Sequence, residues 1–311
     1  MHAVRYTRYG DSDVLAYEEV PTPAPGPAEV LVKVAGTTFN PVDAGIRAGG
    51  LAPVFPLTFP HTPGIDVAGT VVALGEGVDG LEVGQAVIGF LPMNEDGAAA
   101  ELVVAPAAAL VPAPRSVDLA DAAALPVGGL TAWQALFDVA GLEAGRRVLV
   151  HGAEGSVGGY AVQLAHQAGA HVTATAGDRS AARLMGYGAD DLVARLDLDR
   201  SPLRVAGAPF DVVLNLVGTS PAQTAALTDL VADGGALVST TTPPPQDAGR
   251  GIRTARVFVR SRADQLAALV ERVDAGDLAV HVAERRALAD LRTVHEDAAA
   301  GRLAGKTVLR P

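Results

Sequence analysis

The chain has 311 residues, long enough for two domains with a core in each. Apolar residues make up 49% of it and charged residues 19%, the balance of a folded protein rather than a disordered one. A formal net charge of −11 with no long basic run argues against nucleic acid and anionic membrane as partners, and the absence of cysteine excludes disulfides, thiol nucleophiles and cysteine-containing zinc sites.

Residues 1–9 carry charges but no apolar core followed by a small-residue cleavage site, so they read as a first strand rather than a secretory signal, and the expected compartment is the cytoplasm. Residues 155–177 lack formal charge, yet their glycines, glutamine and histidine residues make a poor membrane span. Up to about residue 118 the sequence is rich in Val, Gly and Pro, with apolar runs at 30–35, 67–73 and 86–90 that predict strands. Pro21, Pro23, Pro25 and Pro27 punctuate one connection, and Gly75, Gly77, Gly80 and Gly84 another, as in a compact antiparallel, barrel-like unit. From Asp118 the pattern turns helical. Asp118 or Asp121 can cap a run of alanines, with Pro126, Gly128 and Gly129 breaking it before a helix over 131–140, and a domain boundary is expected near here.

Residues 147–178 predict strand, tight turn, helix and second strand. Val148, Leu149 and Val150 form an apolar run of the kind buried on both faces of a parallel sheet, and Gly152, Gly155 and Gly158 follow it. Glycine here permits a tight turn and close approach of a phosphate, while Gly158 lets the helix, expected over 157–168, pack near the strand. The free N–H groups and the dipole at the start of that helix favour an anion. The second strand, 170–175, ends where a dinucleotide fold reads the adenosine ribose. Arg179 offers a planar donor fork for a 2′-phosphate, with Gly177 leaving room and Ser180 adding a hydroxyl, which favours NADP(H). Asp178 is the counterweight: facing the ribose, it would favour NAD.

Beyond this stretch, helix 181–185, strand 210–217, helix 221–232 and strands 236–240 and 255–259 alternate as in a parallel, doubly wound sheet. A helix over 263–275 carries Leu266, Leu269, Val270 and Val273 at helical spacing and is read as core packing. After Gly276 come a short strand, a helix over 288–300 and a strand over 307–309 that can return to the first domain. The expected layout is therefore 1–118 with 276–311 as one domain and 119–275 as the cofactor domain.

Five blocks in order, FNPVD at 39–43, PHTPGIDVAGTV at 60–71, LPVGGLTAWQAL at 125–136, HGAEGSVGGYAVQLA at 151–165 and GKTVL at 305–309, resemble the medium-chain dehydrogenase/reductases. The likeness is to their zinc-independent quinone oxidoreductase, zeta-crystallin-like and enone reductase branch. It implies an α/β protein with a GroES-like β-rich catalytic domain, a Rossmann NADP-binding domain inserted before its C-terminal part, a cofactor cleft and a homodimer. The positions that carry cysteine and histidine in zinc-dependent relatives hold Asn40 and Ile65, so no metal is expected; His61, between prolines, reads as a packing residue rather than a ligand. Without a Lewis acid, alcohol oxidation lacks its usual alkoxide stabilisation, whereas a conjugated carbonyl can take hydride with the enolate charge held by hydrogen bonds.

By resemblance, Asn40 and Thr131 lie near the nicotinamide end, Gly155, Ser156 and Val157 bind the pyrophosphate, and Val217, Ser239 and Phe258 line the nicotinamide side. Taken singly, each has a structural explanation: turn former, helix cap, strand end or core. Asp43 can either orient a donor in the site or serve a structural role within the FNPVD turn, and the structural role is the one favoured. Phe39, Leu51, Phe55 and Phe90 are the expected substrate pocket. Pro243, Pro244 and Pro245 are expected to stiffen a loop bordering the cofactor, with Gly249 and Gly251 giving mobility at its far end. The leading expectation is an NADPH-dependent reductase of quinones or enones. The alternatives are a polyketide-type tailoring enone reductase and a non-catalytic NADPH-binding sensor.

Overall fold

Val30, Val32 and Val34 alternate along the strand Glu29–Thr38 and turn one buried face into an apolar core shared with Val67, Val71, Val87 and Val103. In the computed structural model, which describes residues 1–200 and 202–311, this strand is the hub of a seven-stranded sheet. It pairs antiparallel with Asp66–Leu74, Leu102–Pro106 and, at its C-terminal end, Thr307–Arg310. The last of these pairings returns the C-terminal strand to Thr37 and Thr38, so the first domain is discontinuous in sequence. Gly36 is required where the strand crosses a neighbouring turn, because a Cβ there would sit 2.5 Å from the Ala120 carbonyl oxygen.

The chain divides into two units, Met1–Val127 with Ser261–Pro311, and Gly128–Arg260. The helix Ala263–Ala275 forms as the spacing predicts, but it belongs with the first unit rather than with the cofactor domain. Its Asp274 accepts backbone hydrogen bonds from Arg115 at 2.7 Å and Ser116 at 3.0 Å, and its partner strand is Leu110–Pro112. Residues 119–127 join the first unit for a similar reason: Arg285 and Arg310 both bind Asp121.

The second unit is built on a six-stranded, fully parallel sheet. Across it run Asp191–Val193, His171–Thr175, Arg147–His151, Phe210–Asn215, Val231–Ser239 and Arg253–Arg256. Numbered from the first of these in sequence, the order is 3-2-1-4-5-6, the doubly wound dinucleotide arrangement, whose switch point lies between Arg147–His151 and Phe210–Asn215. The fold is thus a GroES-like β-rich domain plus a Rossmann domain.

Three local expectations change. Pro126 starts a helix, Pro126–Trp133, instead of breaking one, as proline is tolerated in a first turn, and a π turn over Gln134–Val139 continues it. The helix expected over 221–232 stops at Ala226, and after a short 3-10 turn Val231 enters a strand beside Phe210. Leu227, Leu230 and Val231 are buried in the sheet core, so packing overrides the helical run. Asp191–Val193 is a three-residue edge strand that sequence pattern alone did not reveal.

Candidate dinucleotide site

The strand Arg147–His151 leads into Gly152, whose φ of +94° suits glycine and whose N–H donates to Thr175 Oγ1 at 2.9 Å. Gly155 caps the helix Ser156–Gln167 without a side chain, leaving the leading N–H groups, including those of Ser156 and Val157, with no side-chain acceptor among the described residues. Gly158 is where helix and turn touch: a Cβ there would lie 2.3 Å from the Gly152 carbonyl oxygen and 2.5 Å from Ala153 Cα. A Cβ on Gly155, in contrast, would meet nothing closer than 3.6 Å. One glycine thus holds the helix against the turn and another leaves backbone bare, which fits a pyrophosphate seated on the helix N-terminus.

A cavity of about 840 Å³ opens beside this turn and is lined by Gly152, Glu154, Thr175, Gly177, Arg179 and Arg195 among others. Neither Arg179 nor Arg195 forms an ion pair among the described residues, so both guanidinium groups are available to a phosphate. Ser180 is differently placed from its expected role. It is only 5% exposed, and its hydroxyl donates to Glu154 Oε1 at 2.6 Å; the Gly177 N–H donates to the same oxygen, also at 2.6 Å. Glu154 and Arg195 are site residues that sequence reasoning missed. The acid inside the GAEG turn was a usable signal, whereas Arg195 follows the unrecognised edge strand.

Val217 lines the same cavity and is partly exposed. Ser239 has a wholly buried side chain that accepts from Asn215 Nδ2 at 3.3 Å and the Thr241 N–H at 3.3 Å. Asn215 in turn meets His151 Nδ1 at 2.9 Å, so Ser239 braces the strand ends at the switch point. Burial pushes His151 below the ordinary imidazole range, opposed by its Asn215 hydrogen bond. Phe258 is 58% exposed, with the Arg256 guanidinium 4.7 Å from its ring centroid. The triproline segment is tethered at both sides: Thr241 Oγ1 donates to the Val217 carbonyl at 2.7 Å and Thr254 Oγ1 to the Pro245 carbonyl at 2.7 Å. Its far end is pinned by Arg250, which binds the Val231 and Thr228 carbonyls and Asp233, so Gly249 and Gly251 serve turns with positive φ rather than a loose hinge.

In the first unit, Asn40 and Asp43 do what the FNPVD turn suggests. Asn40 caps the helix Pro41–Arg47, and its N–H donates to Asp43 Oδ2 at 3.0 Å. The Asn40 amide is fully engaged: Nδ2 donates to Asp66 Oδ2 at 2.9 Å and Thr38 Oγ1 at 3.4 Å, and Oδ1 accepts from Lys306 Nζ at 2.7 Å. Lys306 Nζ also reaches Asp66 Oδ2 at 3.0 Å, Thr38 donates to that oxygen, and the Val127 N–H donates to Asp66 Oδ1 at 2.8 Å. Burial, then the Asp66 carboxylate, pushes Asp43 up to about 7. Lys306 came from the GKTVL block without a role, and Asp66 from the GIDVAG block; only the pairing of their strands brings them together.

Of the expected pocket residues, Phe39 is a core residue, its ring edge-on to His295 at 4.8 Å in a cluster with Val4, Leu291 and Leu309. Phe90 is likewise buried, at a strand end. Leu51 lies against Gly45 of the Asn40-capped helix, and Leu51 and Phe55 are half-buried. Thr131 is buried inside the helix Pro126–Trp133. His61 packs edge-on to Tyr6 at 5.3 Å, and burial lowers its pKa. Among the described residues, no three His, Asp or Glu side chains are grouped to hold a metal ion, and no helix is long and apolar enough to cross a membrane.

Fold and site together define an oxidoreductase built around a nicotinamide dinucleotide. Residues 26–115 match the alcohol dehydrogenase GroES-like domain and residues 187–309 the zinc-binding dehydrogenase family. The chain is 41% identical over 228 residues to the chloroplast envelope quinone oxidoreductase homolog of Arabidopsis thaliana, covering 71% of this chain and 69% of that protein. A quinone oxidoreductase from Coxiella burnetii superposes with a TM-score of 0.89 at 28% identity, covering 100% of this chain and 99% of the other. A mycobacterial protein solved in complex with NADPH gives a TM-score of 0.85 at 29% identity, covering 100% of both chains. The chain belongs to the medium-chain dehydrogenase/reductase superfamily, in its quinone oxidoreductase branch.

Proposed function

We propose that this protein is a zinc-independent, NADPH-dependent reductase of quinones or α,β-unsaturated carbonyl compounds. The observation that carries the reading is the pair of guanidinium groups, Arg179 and Arg195, that form no ion pair among the described residues and line the cavity beside a glycine-cradled helix N-terminus. When bound, the nicotinamide supplies the hydride; the acceptor is a carbonyl-conjugated double bond or a quinone ring.

The chain's own residues bind and orient. The bare backbone of Gly155, Ser156 and Val157 takes the pyrophosphate, Arg179 the 2′-phosphate with Gly177 leaving room, and Val217 borders the nicotinamide side. The reading assigns Asn40 and Thr131 to the reactive end. With its amide held by Asp66, Thr38 and Lys306, Asn40 contributes a fixed local field rather than a mobile donor. The reading takes the proton from solvent and assigns no side chain as its donor. The same reading takes the protein to be a cytoplasmic homodimer, which cell fractionation and sedimentation would test.

The test is absorbance at the reduced-cofactor band after adding a quinone or an enone to purified protein with NADPH. Oxidation with either acceptor supports the reductase. Tight NADPH binding without turnover across a broad acceptor panel would overturn it in favour of a sensing role.

A further inference from the structure

Glu154 stands within the glycine turn, between Gly152 and Gly155, and its carboxylate is already committed. Oε1 holds the Gly177 N–H and the Ser180 hydroxyl, and Arg183 Nη2 donates to the Glu154 carbonyl at 3.0 Å, which fixes the backbone of the residue as well. Oε2 takes no hydrogen bond among the described residues, and Glu154 lines the cavity. The Ser180 and Gly177 hydrogen bonds, with the nearby charges of Arg195 and Arg179, hold the carboxyl below the usual carboxylate range.

Gly177 and Ser180 begin the segment after the strand His171–Thr175, where this fold reads the adenosine ribose. An acid that reads a ribose hydroxyl must be ionised, fixed in place and left with one free oxygen, and Glu154 meets all three conditions. It reaches the strand end from the glycine turn instead of from the strand itself. Asp178 and Asp199 line the same cavity, and so does Asp197, which is paired with Arg200 at 2.9 Å, so a dianionic 2′-phosphate meets carboxylates as well as Arg179 and Arg195.

We infer that Glu154 sets the balance between the two nicotinamide dinucleotides: its free oxygen accepts the ribose 2′-hydroxyl of NADH, and its charge repels the 2′-phosphate of NADPH. Arg179 and Arg195 make NADPH acceptable; Glu154 keeps NADH competitive. The inference rests on the cofactor reading of this cavity and adds a specificity-determining residue to it.

The test is nicotinamide fluorescence of the full chain titrated separately with NADPH and NADH, for the wild type and Glu154→Gln, with circular dichroism to check folding. Gln keeps an acceptor for Gly177 and Ser180 and removes the charge. The ratio of NADH to NADPH dissociation constants is expected to rise about tenfold or more, the scale of one relieved close like-charge contact. If Glu154→Gln fails to fold, Glu154→Ala, whose methyl needs no partner, carries the same expectation. A ratio unchanged, or shifted toward NADH, in a folded variant that binds dinucleotide would overturn the role of Glu154 alone. A wild type that binds neither dinucleotide would overturn this inference together with the cofactor reading. Because the readout is binding, failure of turnover with quinones and enones leaves it intact.

Discussion

Lys306 Nζ lies 3.0 Å from Asp66 Oδ2, although 240 residues of sequence separate them and both side chains are buried. The ammonium also binds Asn40, while Asp66 accepts from Asn40, Thr38 and the Val127 backbone, so nearly every polar capacity of the pair is used. Such a pair contributes little net stability against an apolar replacement, but removing one member strands the other.

Lys306→Met is therefore expected to destabilise the protein by about 3–5 kcal/mol in urea unfolding. Adding Asp66→Asn should recover part of that loss, because no unpaired charge remains. Two additive losses would show that the pair is not coupled.

Asp43 and His295 pull the pH dependence of stability in opposite directions. Burial pushes Asp43 from 3.8 up to about 7, so the folded state holds its proton longer and stability falls as pH rises from about 4 to 7. Burial, with Arg47 nearby, pushes His295 from 6.5 down to about 3, and neither ring nitrogen has a hydrogen-bond partner among the described residues, so stability rises over about pH 3 to 6.5. Each slope approaches at most about 1.4 kcal/mol per pH unit, and over the shared window they offset. Asp43→Asn should uncover a rise with pH relative to the wild type, and His295→Phe a fall; parallel curves for all three proteins would refute both assignments.

The two turn glycines separate packing from binding. Gly158→Ala forces a methyl against the Gly152 carbonyl and Ala153 and is expected to cost about 1–3 kcal/mol in thermal unfolding. Gly155→Ala, with φ of −76° and open space, should stay within about 0.5 kcal/mol of wild type. It should nonetheless weaken dinucleotide binding measured by fluorescence, since the methyl covers backbone that the pyrophosphate approaches.

Arg179→Ala should weaken NADPH by roughly 10- to 100-fold, the range of a charge-assisted hydrogen bond of about 1.5–3 kcal/mol, and leave NADH nearly unchanged. Equal loss for both cofactors would remove Arg179 from the 2′-phosphate, leaving Arg195 as the cation to test.

The Gly152–Gly158 turn, its flanking strand and helix, and the helix Ala263–Ala275 were legible in the sequence because each is specified over one short stretch: glycine where backbone must turn or approach, apolar residues at a fixed period. The return of Thr307–Arg310 to the first domain was also readable, from a block whose order along the chain carried it. What the tertiary structure alone decided is partnership across distance. The period of Leu266, Leu269 and Val273 makes a helix but cannot say that Asp274 will hold Arg115 and Ser116 and so join the helix to the first unit. The run from Pro221 is helical by propensity, yet Val231 pairs with Phe210 because burial in a parallel sheet outweighs a few tenths of a kcal/mol per residue. The sequence offers Ser180 as a hydroxyl beside Arg179, and only the fold brings Glu154, 26 residues earlier, to hold that hydroxyl. Hydrogen-bond partners depend on positions converging in space, and local sequence encodes only which groups are on offer.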